Sequence, residues 1–456
     1  MSTLPGRRVL VVTHYFPPEI GAPQARLSET ARAWAADGLD VTVLTGMPNH
    51  PTGVIPPEYR GTWLRTERVD GYRVVRARLY ATPNEGVVRK TLSHLSFMVS
   101  SVLLGGWRTG PFDVVVVSSP TFFPLGSAWL LARLRRARLI VEVRDLWPAI
   151  FEQLGVITNP RVLGLLERLE LAAYRAADVV VTVTEGFRDD IVRRGIAAGK
   201  VHVVRNGVDL DRFHPDTAAP AGLRARLGAP GSETLVLYIG AHGISHGLTS
   251  VADAAAQLGD TRIRFAFVGE GADKHRLAEH VRGLGLANTL LHDGVPRDQV
   301  PGVVAAADLC VVPLRDVPMF DAFIPSKMFE LLAAGRPVVG AVRGEAARIL
   351  TAAGQVVVPP EDPGALAAAV AQLATDPQRR ARMGRAGRAH VERHFDRDEL
   401  ARNYRRLLFD GAEPARPDDN GWTRAGPDGA VPPQRGSTPA PAGQQTAMAR
   451  GPEALT

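Results

Sequence analysis

The sequence is almost free of cysteine, and this limits what can hold the chain together. Cys310 is the single cysteine among 456 residues, so an internal disulfide bond is excluded. It lies in the apolar run 309–312, where a buried thiol with a packing role is expected. A chain without disulfide bonds suits a reducing compartment, and we therefore expect it to work in the cytoplasm.

An apolar run that could cross a bilayer is also missing. The candidate stretch, residues 91–107, contains several serines and a threonine. It is shorter than the roughly 20 apolar residues that a spanning helix needs. Two interpretations stay open: a helix packed on a sheet, or a helix that lies in a membrane surface beside Arg89 and Lys90.

Motifs for nucleic acids and for nicotinamide cofactors are missing as well. The net charge of +7 comes mostly from scattered arginines, and no RNA- or DNA-binding motif accompanies it. The loop 14–22 holds Gly21 and Ala22 but no GxGxxG, which argues against an NAD site. The basic balance then favours phosphorylated substrates or an anionic membrane face.

What the sequence does contain is a regular alternation of apolar strands with helices. This pattern predicts parallel sheets that are covered on both faces. The stretch 217–232, rich in Ala, Pro and Gly, separates two series of strands. The predicted strands are 9–13, 41–45, 114–118, 139–144, 179–184 and 201–204 in the first series, and 234–240, 264–268, 289–291, 309–314, 338–342 and 356–358 in the second.

The segment 325–340 (PSKMFELLAAGRPVVG) predicts a loop, a short helix and a buried strand. Ser326 is the expected N-cap of the helix, and Gly335 is its expected left-handed stop. Lys327 and Glu330 then lie on adjoining helical positions. The lysine can neutralise a diphosphate at the helix N-terminus, and the carboxylate one turn deeper can hold a ribose diol. A capped amphipathic helix with a surface ion pair is the alternative interpretation.

A second segment near mid-chain, residues 205–209 (RNGVD), adds to this one. Taken alone it indicates only a turn after a strand. Together the two segments resemble the glycosyltransferase family 4 group, in particular its capsule, colanic-acid and O-antigen branch. The resemblance covers roughly residues 7–409. Further stretches that match this branch are 15–22, 144–148, 267–271 and 307–308.

The resemblance implies an α/β fold of the GT-B type, with two Rossmann-like parallel-sheet domains facing a cleft. We expect an acceptor domain over residues 1–216 and a donor domain over 217–394. A helix over 395–410 should cross back onto the first domain. Residues 411–456 have almost no large apolar side chains, so we expect them to be disordered.

The resemblance also implies a retaining transferase that needs neither a cofactor nor a metal. It would move a sugar from a nucleotide diphosphate to an acceptor hydroxyl in polysaccharide or glycolipid assembly. Its expected partners are the sugar donor, a sugar or lipid-linked acceptor and the inner membrane face, but no nucleic acid. A sugar-nucleotide epimerase of the same architecture and a non-catalytic sugar-nucleotide-binding protein are the alternatives, and the segment 205–209 favours the transferase.

The catalytic candidates come from the match at 144–148. Asp145 follows a predicted buried strand, where ligands of open α/β sheets bind. Many members of the resembled family have histidine where this chain has Arg144. We expect both Asp145 and Arg144 to act in catalysis. The alternative for Asp145 is an N-cap of a helix that starts at Leu146.

The remaining candidates bind the donor. The resembled family places an arginine and a lysine on the diphosphate where this chain has Ala241 and His246. We expect His242 and a protonated His246 to take part, and Lys327 to replace the missing lysine. A two-histidine metal site is the alternative, but no carboxylate partner is obvious nearby.

Two further regions complete the predicted donor site. Gly21 should let the backbone approach the donor phosphate or the acceptor. Gly269 and Glu270 are expected near the base, with an exposed turn as the alternative for Glu270. The family's Glu-x7-Glu pair has its second member at Glu330, whereas its first position falls on Ala322.

Overall fold

The computed structural model describes residues 7–19, 21–50, 52–83, 87–118, 123–149, 157, 159–259 and 262–409. The predicted disordered segment 411–456 lies outside these residues. The strands are β1 (Arg8–Val12), β2 (Asp40–Gly46), β3 (Leu64–Val69), β4 (Tyr72–Ala77), β5 (Val114–Ser118), β6 (Arg138–Val143), β7 (Val179–Thr182), β8 (Val201–Val203), β9 (Thr234–Ile239), β10 (Ile263–Val268), β11 (Thr289–His292), β12 (Leu309–Pro313), β13 (Val338–Ala341) and β14 (Val356–Val358).

Helices separate most of these strands. They are α1 (Ala22–Ala36), α2 (Val87–Ser100), α3 (Gly106–Arg108), α4 (Phe123–Arg135), α5 (Pro160–Ala176), α6 (Glu185–Arg193), α7 (Leu223–Arg226), α8 (Leu248–Leu258), α9 (Lys274–Gly283), α10 (Val300–Ala305), α11 (Lys327–Ala333), α12 (Gly344–Ala352), α13 (Pro363–Ala374), α14 (Pro377–His394) and α15 (Arg397–Phe409).

The first eight strands form one sheet in the order β3-β4-β2-β1-β5-β6-β7-β8. Its strands are parallel except for the antiparallel pair β3–β4 at the edge. This hairpin is absent from the predicted strands. Asp70 and Gly71 form its turn with φ of 46° and 86°, and an Asp-Gly pair with positive φ is typical of a tight hairpin.

The last six strands form a second, wholly parallel sheet in the order β11-β10-β9-β12-β13-β14. Their side chains are mostly buried, because helices cover both faces. The predicted fold class, two parallel-sheet domains, is confirmed. The domain limits at residues 216 and 394 stay predictions.

The last helix, α15, returns to the first domain as predicted. It packs against α1, where the Trp34 Nε1–H donates a hydrogen bond to the Ala401 carbonyl oxygen at 2.9 Å. The rings of Trp34 and Tyr404 meet edge to face with 5.2 Å between centroids. Burial of Trp34, Tyr404 and Leu407 anchors the chain's final helix beside the first sheet.

Candidate donor and catalytic site

Lys327 is the cation around which the site is built. It begins α11, and its Nζ donates a hydrogen bond to the Tyr238 hydroxyl at 2.6 Å. The same Nζ lies 3.9 Å from the centre of the Tyr238 ring. The Tyr238 hydroxyl donates in turn to the Ala241 carbonyl oxygen at 2.5 Å. Lys327 is therefore held against the loop that follows β9, where the resembled family carries its own cations.

Glycine makes this close approach possible. A Cβ atom on Gly240 would stand 2.9 Å from Lys327 Nζ, and Gly240 has a φ of +133°. A Cβ atom on Gly269 would stand 1.9 Å from the Gly240 carbonyl oxygen. A larger residue at either position would push the lysine or the neighbouring loop away. Gly269 thus supports the site by packing on the loop, a role that needs no contact with a ligand.

The pKa of both histidines in this loop lies well below the ordinary imidazole value in the free protein, and protonation of His246 beside a bound diphosphate stays a prediction. Burial lowers the pKa of His246 to about 3, and nearby Lys327 lowers it further. Burial also lowers the pKa of His242 to about 4. The physical reason is that an imidazolium would lose hydration beside an existing cation. Among the described residues, both ring nitrogens of His242 and the Nδ1 atom of His246 are without a hydrogen-bond partner.

Glu330 is not part of a surface ion pair with Lys327. Its side chain is only 19% exposed, and its Oε1 lies 3.3 Å from Arg297 Nη2. The same Arg297 Nη2 lies 3.3 Å from Glu29 Oε1 on α1. Burial raises the pKa of Glu330, while Arg297 opposes the rise. Glu330, the residue predicted to bind the ribose, is therefore connected through Arg297 to the first domain. Arg297 was not among the residues predicted from the sequence.

The expected capping role of Ser326 is wrong. Its side chain makes no cap hydrogen bond, and its backbone is already helical with φ −56° and ψ −29°. Its Oγ accepts a hydrogen bond from Asn206 Nδ2 at 3.1 Å instead. The helix does end as predicted, with Gly335 at φ +65°. The two segments singled out in the sequence thus touch each other across the domains.

Arg205 makes a second link between the domains. Its Nη2 lies 3.2 Å from Glu345 Oε1 on α12 and 3.3 Å from Glu185 Oε1. Glu345 Oε2 also accepts hydrogen bonds from the backbone N–H groups of Glu185 at 3.0 Å and Gly186 at 3.4 Å. Glu345 was missed because a single glutamate at a helix start carries no local signal for a partner 140 residues away.

Arg26 holds the mid-chain segment from the other side. Its Nε donates to Glu142 Oε1 at 2.7 Å, and its Nη1 donates to the Arg205 carbonyl oxygen at 2.9 Å and to Asn206 Oδ1 at 3.0 Å. Glu142 is almost fully buried. A buried arginine with its donors shared in this way fixes a backbone segment as well as neutralising a carboxylate. Glu142, a carboxylate inside an apolar strand, is the feature of the sequence that could have indicated this buried ion pair.

The catalytic candidates follow two residues after Glu142. Arg144 Nε and Nη1 are buried without a hydrogen-bond partner among the described residues. Burial lowers the pKa of Arg144 and raises that of Asp145, and each side chain opposes the other's shift. A buried guanidinium with free donors is costly unless an anion completes it. The turn after Asp145 leads beyond the described residues, so its N-cap alternative stays open.

The other predicted residues fall at the edges of the site. Gly21 precedes α1 and lines a cavity of about 310 Å³ together with Glu29 and Arg297. Glu270 is exposed and accepts hydrogen bonds from Lys274 Nζ at 2.7 Å and from the Gly294 N–H at 3.1 Å. These contacts agree with the exposed-turn interpretation of Glu270. Its contact with a base stays a prediction.

Ala322, at the first position of the family's glutamate pair, faces the first domain. A Cβ atom on Gly186 would stand 2.5 Å from the Ala322 Cβ. Within the described residues, no group of three or more His, Cys, Asp or Glu side chains is arranged to hold a metal ion. The structure thus gathers the Ser326–Glu330 turn, the 240–247 loop and Gly269 at one place, and Arg26 and Asn206 connect the mid-chain segment to Ser326.

Two parallel-sheet domains, joined by contacts between them, are the architecture of the GT-B fold. Comparison with known proteins agrees: residues 21–207 match the "Glycosyl transferase 4-like domain", and residues 222–390 match "Glycosyl transferases group 1". The chain belongs to the glycosyltransferase family 4 group. It is a glycosyltransferase of the hexosyltransferase type, which sets aside the epimerase and the non-catalytic alternatives.

Similar proteins come from several bacteria. The glycosyl transferase WcaI of Escherichia coli K12, assigned to colanic acid biosynthesis, is 29% identical over 87% of this chain and 98% of its own length. A D-inositol 3-phosphate glycosyltransferase of Streptomyces avermitilis is 32% identical over 68% of this chain and 69% of its own length. A GDP-mannose-dependent phosphatidylinositol monomannoside mannosyltransferase of Mycolicibacterium smegmatis is 27% identical over 83% of this chain and 92% of its own length. These relatives place the chain among enzymes of polysaccharide and glycolipid biosynthesis.

Solved structures confirm the fold. Sucrose-phosphate synthase from Thermosynechococcus elongatus superposes with a TM-score of 0.68 at 20% identity, over 88% of this chain and 99% of its own. Anabaena HepE in complex with UDP and glucose superposes with a TM-score of 0.66 at 18% identity, over the same shares.

Proposed function

We propose that the protein transfers a sugar, with retention at the anomeric carbon, from a nucleoside diphosphate to an acceptor hydroxyl. The observation that carries this proposal is the placement of Lys327 against the 240–247 loop, with Glu330 one turn further along α11. A cation and a carboxylate so spaced suit a diphosphate and a ribose diol. Because α11 has only seven residues, the lysine and the loop amides supply most of the attraction for phosphate.

The chemistry follows from that placement. The bond between the anomeric carbon and the β-phosphate oxygen breaks, and the acceptor oxygen forms the new bond on the same face. The acceptor proton passes to the leaving phosphate oxygen, so no separate base is needed. Lys327 stabilises the charge that develops on the diphosphate. Since this cation is built into the chain, we propose turnover without a metal ion, and it should persist in EDTA.

The printed names of the relatives give candidates for the nucleoside. HepE is seen with UDP, and the mycobacterial relative uses GDP-mannose. A thermal stability screen of the protein with UDP, GDP, ADP and their nucleosides tests the proposal. One nucleoside diphosphate should raise the melting temperature by several degrees, because a ligand at 100 times its Kd adds about 2.7 kcal/mol. A screen in which no nucleoside diphosphate stabilises the fold would contradict the proposal.

Binding should depend on pH through Lys327. Burial lowers the pKa of Lys327 to about 7, and a bound diphosphate favours the charged form and raises the pKa. The affinity should therefore be full below pH 7 and weaken as the pH rises above 7. At pH 8 binding should take up a proton, which calorimetry in two buffers of different ionisation enthalpy detects. Lys327→Arg, which stays charged, is the control, and equal heats in both buffers for the wild type would refute this role.

We also propose that the protein attaches to the inner face of the cell membrane through α2 to α5 of the first domain. The stretch 91–107 is helical, with one side packed in the domain and the other exposed. Phe97 is fully buried, whereas Leu103 and Trp107 are 64% and 81% exposed. Further exposed apolar side chains on the adjoining helices are Val88, Leu92, Val99, Trp129, Leu134, Val162, Leu165 and Leu169. We call this set, with Leu103 and Trp107, the apolar face.

The positive charge around the apolar face favours a lipid surface as its binding partner. Exposed arginines border it at positions 89, 108, 133, 135 and 168, and an anionic leaflet attracts each by about 1 kcal/mol. Among the described residues, no helix is long and apolar enough to cross a bilayer. Attachment would therefore be interfacial.

Substituting aspartate at both Leu103 and Trp107 should reduce binding to vesicles of 30% anionic lipid by roughly tenfold or more, since each change puts a charge in place of an exposed apolar group that would enter the lipid surface. Nucleotide binding should stay unchanged, because neither side chain approaches Lys327. Val54→Asp, an exposed apolar residue elsewhere, is the matched control. Vesicle flotation measures the effect, and absence of wild-type flotation at low salt would end the membrane proposal.

A further inference from the structure

A second basic group lies in the first domain and takes no part in the donor site. His14 follows β1, His50 follows β2, and His94 and Lys90 come from α2. The rings of His14 and His94 are 4.2 Å apart between centroids. The ring of His50 is 5.0 Å from Tyr15, which contacts His14 at 4.4 Å. We call His14, His50, His94 and Lys90 the histidine cluster.

Three ring nitrogens of the cluster lack partners in the part of the chain that the structure describes. His14 is 2% exposed, and both of its ring nitrogens are without a hydrogen-bond partner among the described residues, as is Nδ1 of His94. Aromatic packing accounts for the burial of the His14 ring, since Phe97 contacts it edge to face with 5.0 Å between centroids. It does not explain why the ring nitrogens are buried without a hydrogen bond, because buried polar atoms are nearly always hydrogen-bonded in folded proteins.

Among the residues that the structure describes, no carboxylate forms an ion pair with the cluster. Lys90 lowers the pKa of His14, His50 and His94, and burial lowers the pKa of all four groups. Glu19 lies beside Tyr15, but its oxygens already accept hydrogen bonds from the backbone N–H groups of residues 16, 49 and 50. Lys90, a partly buried cation, and the unpartnered imidazole nitrogens together are suited to an anion.

We propose that the histidine cluster binds a phosphate group of the acceptor, an inference that rests on the proposed transferase function. The cluster stands at the carboxyl ends of parallel strands, the edge at which open α/β sheets bind their ligands. Helix α2 presents Lys90 and His94 to the cluster and Leu92 and Val99 to solvent on the apolar face. One helix can thus hold a phosphate inside and meet a bilayer outside, which fits a phosphate carried by a membrane lipid.

Calorimetry on the full chain, saturated with the nucleoside diphosphate that stabilises it most, tests this site. Inorganic pyrophosphate is the probe, and the bound nucleotide blocks the donor site. Lys90→Gln and His94→Gln should each weaken pyrophosphate binding about tenfold or more, as expected for a lost hydrogen bond to a charged group. Arg89→Gln, exposed on the same helix, is the matched control and should have no effect. Lys90 is only partly buried, so its substitution leaves the fold intact even if His94→Gln does not.

The source of the phosphate is tested in the same way. Farnesyl diphosphate should bind more tightly than glucose 1-phosphate, and the opposite order would contradict a lipid-linked acceptor. Equal pyrophosphate affinity in the wild type and both variants, or no binding at all beside the nucleotide, would overturn the site. If no nucleotide binds, the donor proposal has failed separately. The pyrophosphate titration is then carried out in the Lys327→Ala variant, which lacks the cation proposed to bind the diphosphate in the donor site.

Discussion

Replacing Lys327 with alanine should weaken the binding of nucleoside diphosphates by about 10- to 100-fold, the range for losing a hydrogen bond to a charged group. Binding of the nucleoside alone should barely change, because Lys327 is proposed to contact the diphosphate and not the ribose. Glu330→Gln is the complementary variant, and it should weaken the nucleoside and the nucleotide by similar factors. Calorimetry with UDP and uridine, or with the pair selected by the thermal screen, separates these outcomes.

Folding is not at risk in the Lys327→Ala variant. Burial lowers the pKa of Lys327 to about 7, so the charged lysine costs stability in the free protein. Tyr238 keeps its hydrogen bond to the Ala241 carbonyl oxygen. The melting temperature should therefore stay the same or rise. Equal losses of affinity for nucleoside and diphosphate would show that Lys327 shapes the site without contacting the phosphates.

Replacing Arg26 with alanine should lower the free energy of unfolding by about 3–5 kcal/mol, the range for leaving one partner of a buried ion pair alone. Glu142 is 1% exposed and, among the residues that the structure describes, would keep only the Tyr404 hydroxyl at 3.4 Å. Arg32→Ala is the matched control on the same helix. Its pair with Asp209 spans 3.3 Å, and the arginine is 45% exposed, so the loss should stay below about 1 kcal/mol. Urea denaturation measures both.

A double variant gives this second prediction its sharpest form. Arg26→Met combined with Glu142→Gln removes both charges, so most of the lost stability should return. Nucleotide binding should nevertheless stay weak, because Arg26 also holds the Asn206 side chain that reaches Ser326. Full recovery of nucleotide affinity in the double variant would mean that the mid-chain segment does not position α11.

The sequence predicts those parts of the fold and site that local patterns determine. Apolar strands alternating with helices give the parallel sheets, and Gly335 ends α11 as its position indicates. Lys327 and Glu330 are recognisable because they are three residues apart on one helix. The edge hairpin was missed although Asp70 and Gly71 carry its turn signal, since β3 is mostly exposed and lacks the apolar run of the buried strands.

Contacts between distant residues could not be predicted in this way. Glu345 pairs with Arg205 across 140 positions, and Asn206 reaches Ser326 across 120. Such pairs depend on how the two sheets are placed, and no local periodicity encodes that placement. The low pKa of His246 has the same origin, because it comes from burial and from Lys327, which is distant in sequence.

The central claim is that Lys327 and Glu330 hold the donor nucleotide, and a crystal structure with the selected nucleoside diphosphate bound tests it most directly. The account predicts the β-phosphate within hydrogen-bonding distance of Lys327 Nζ, about 2.7–2.9 Å. It also predicts the ribose hydroxyls on Glu330, with Arg297 displaced from that carboxylate. A nucleotide bound elsewhere, or a diphosphate held by other cations while Lys327 stays on Tyr238, would contradict the account.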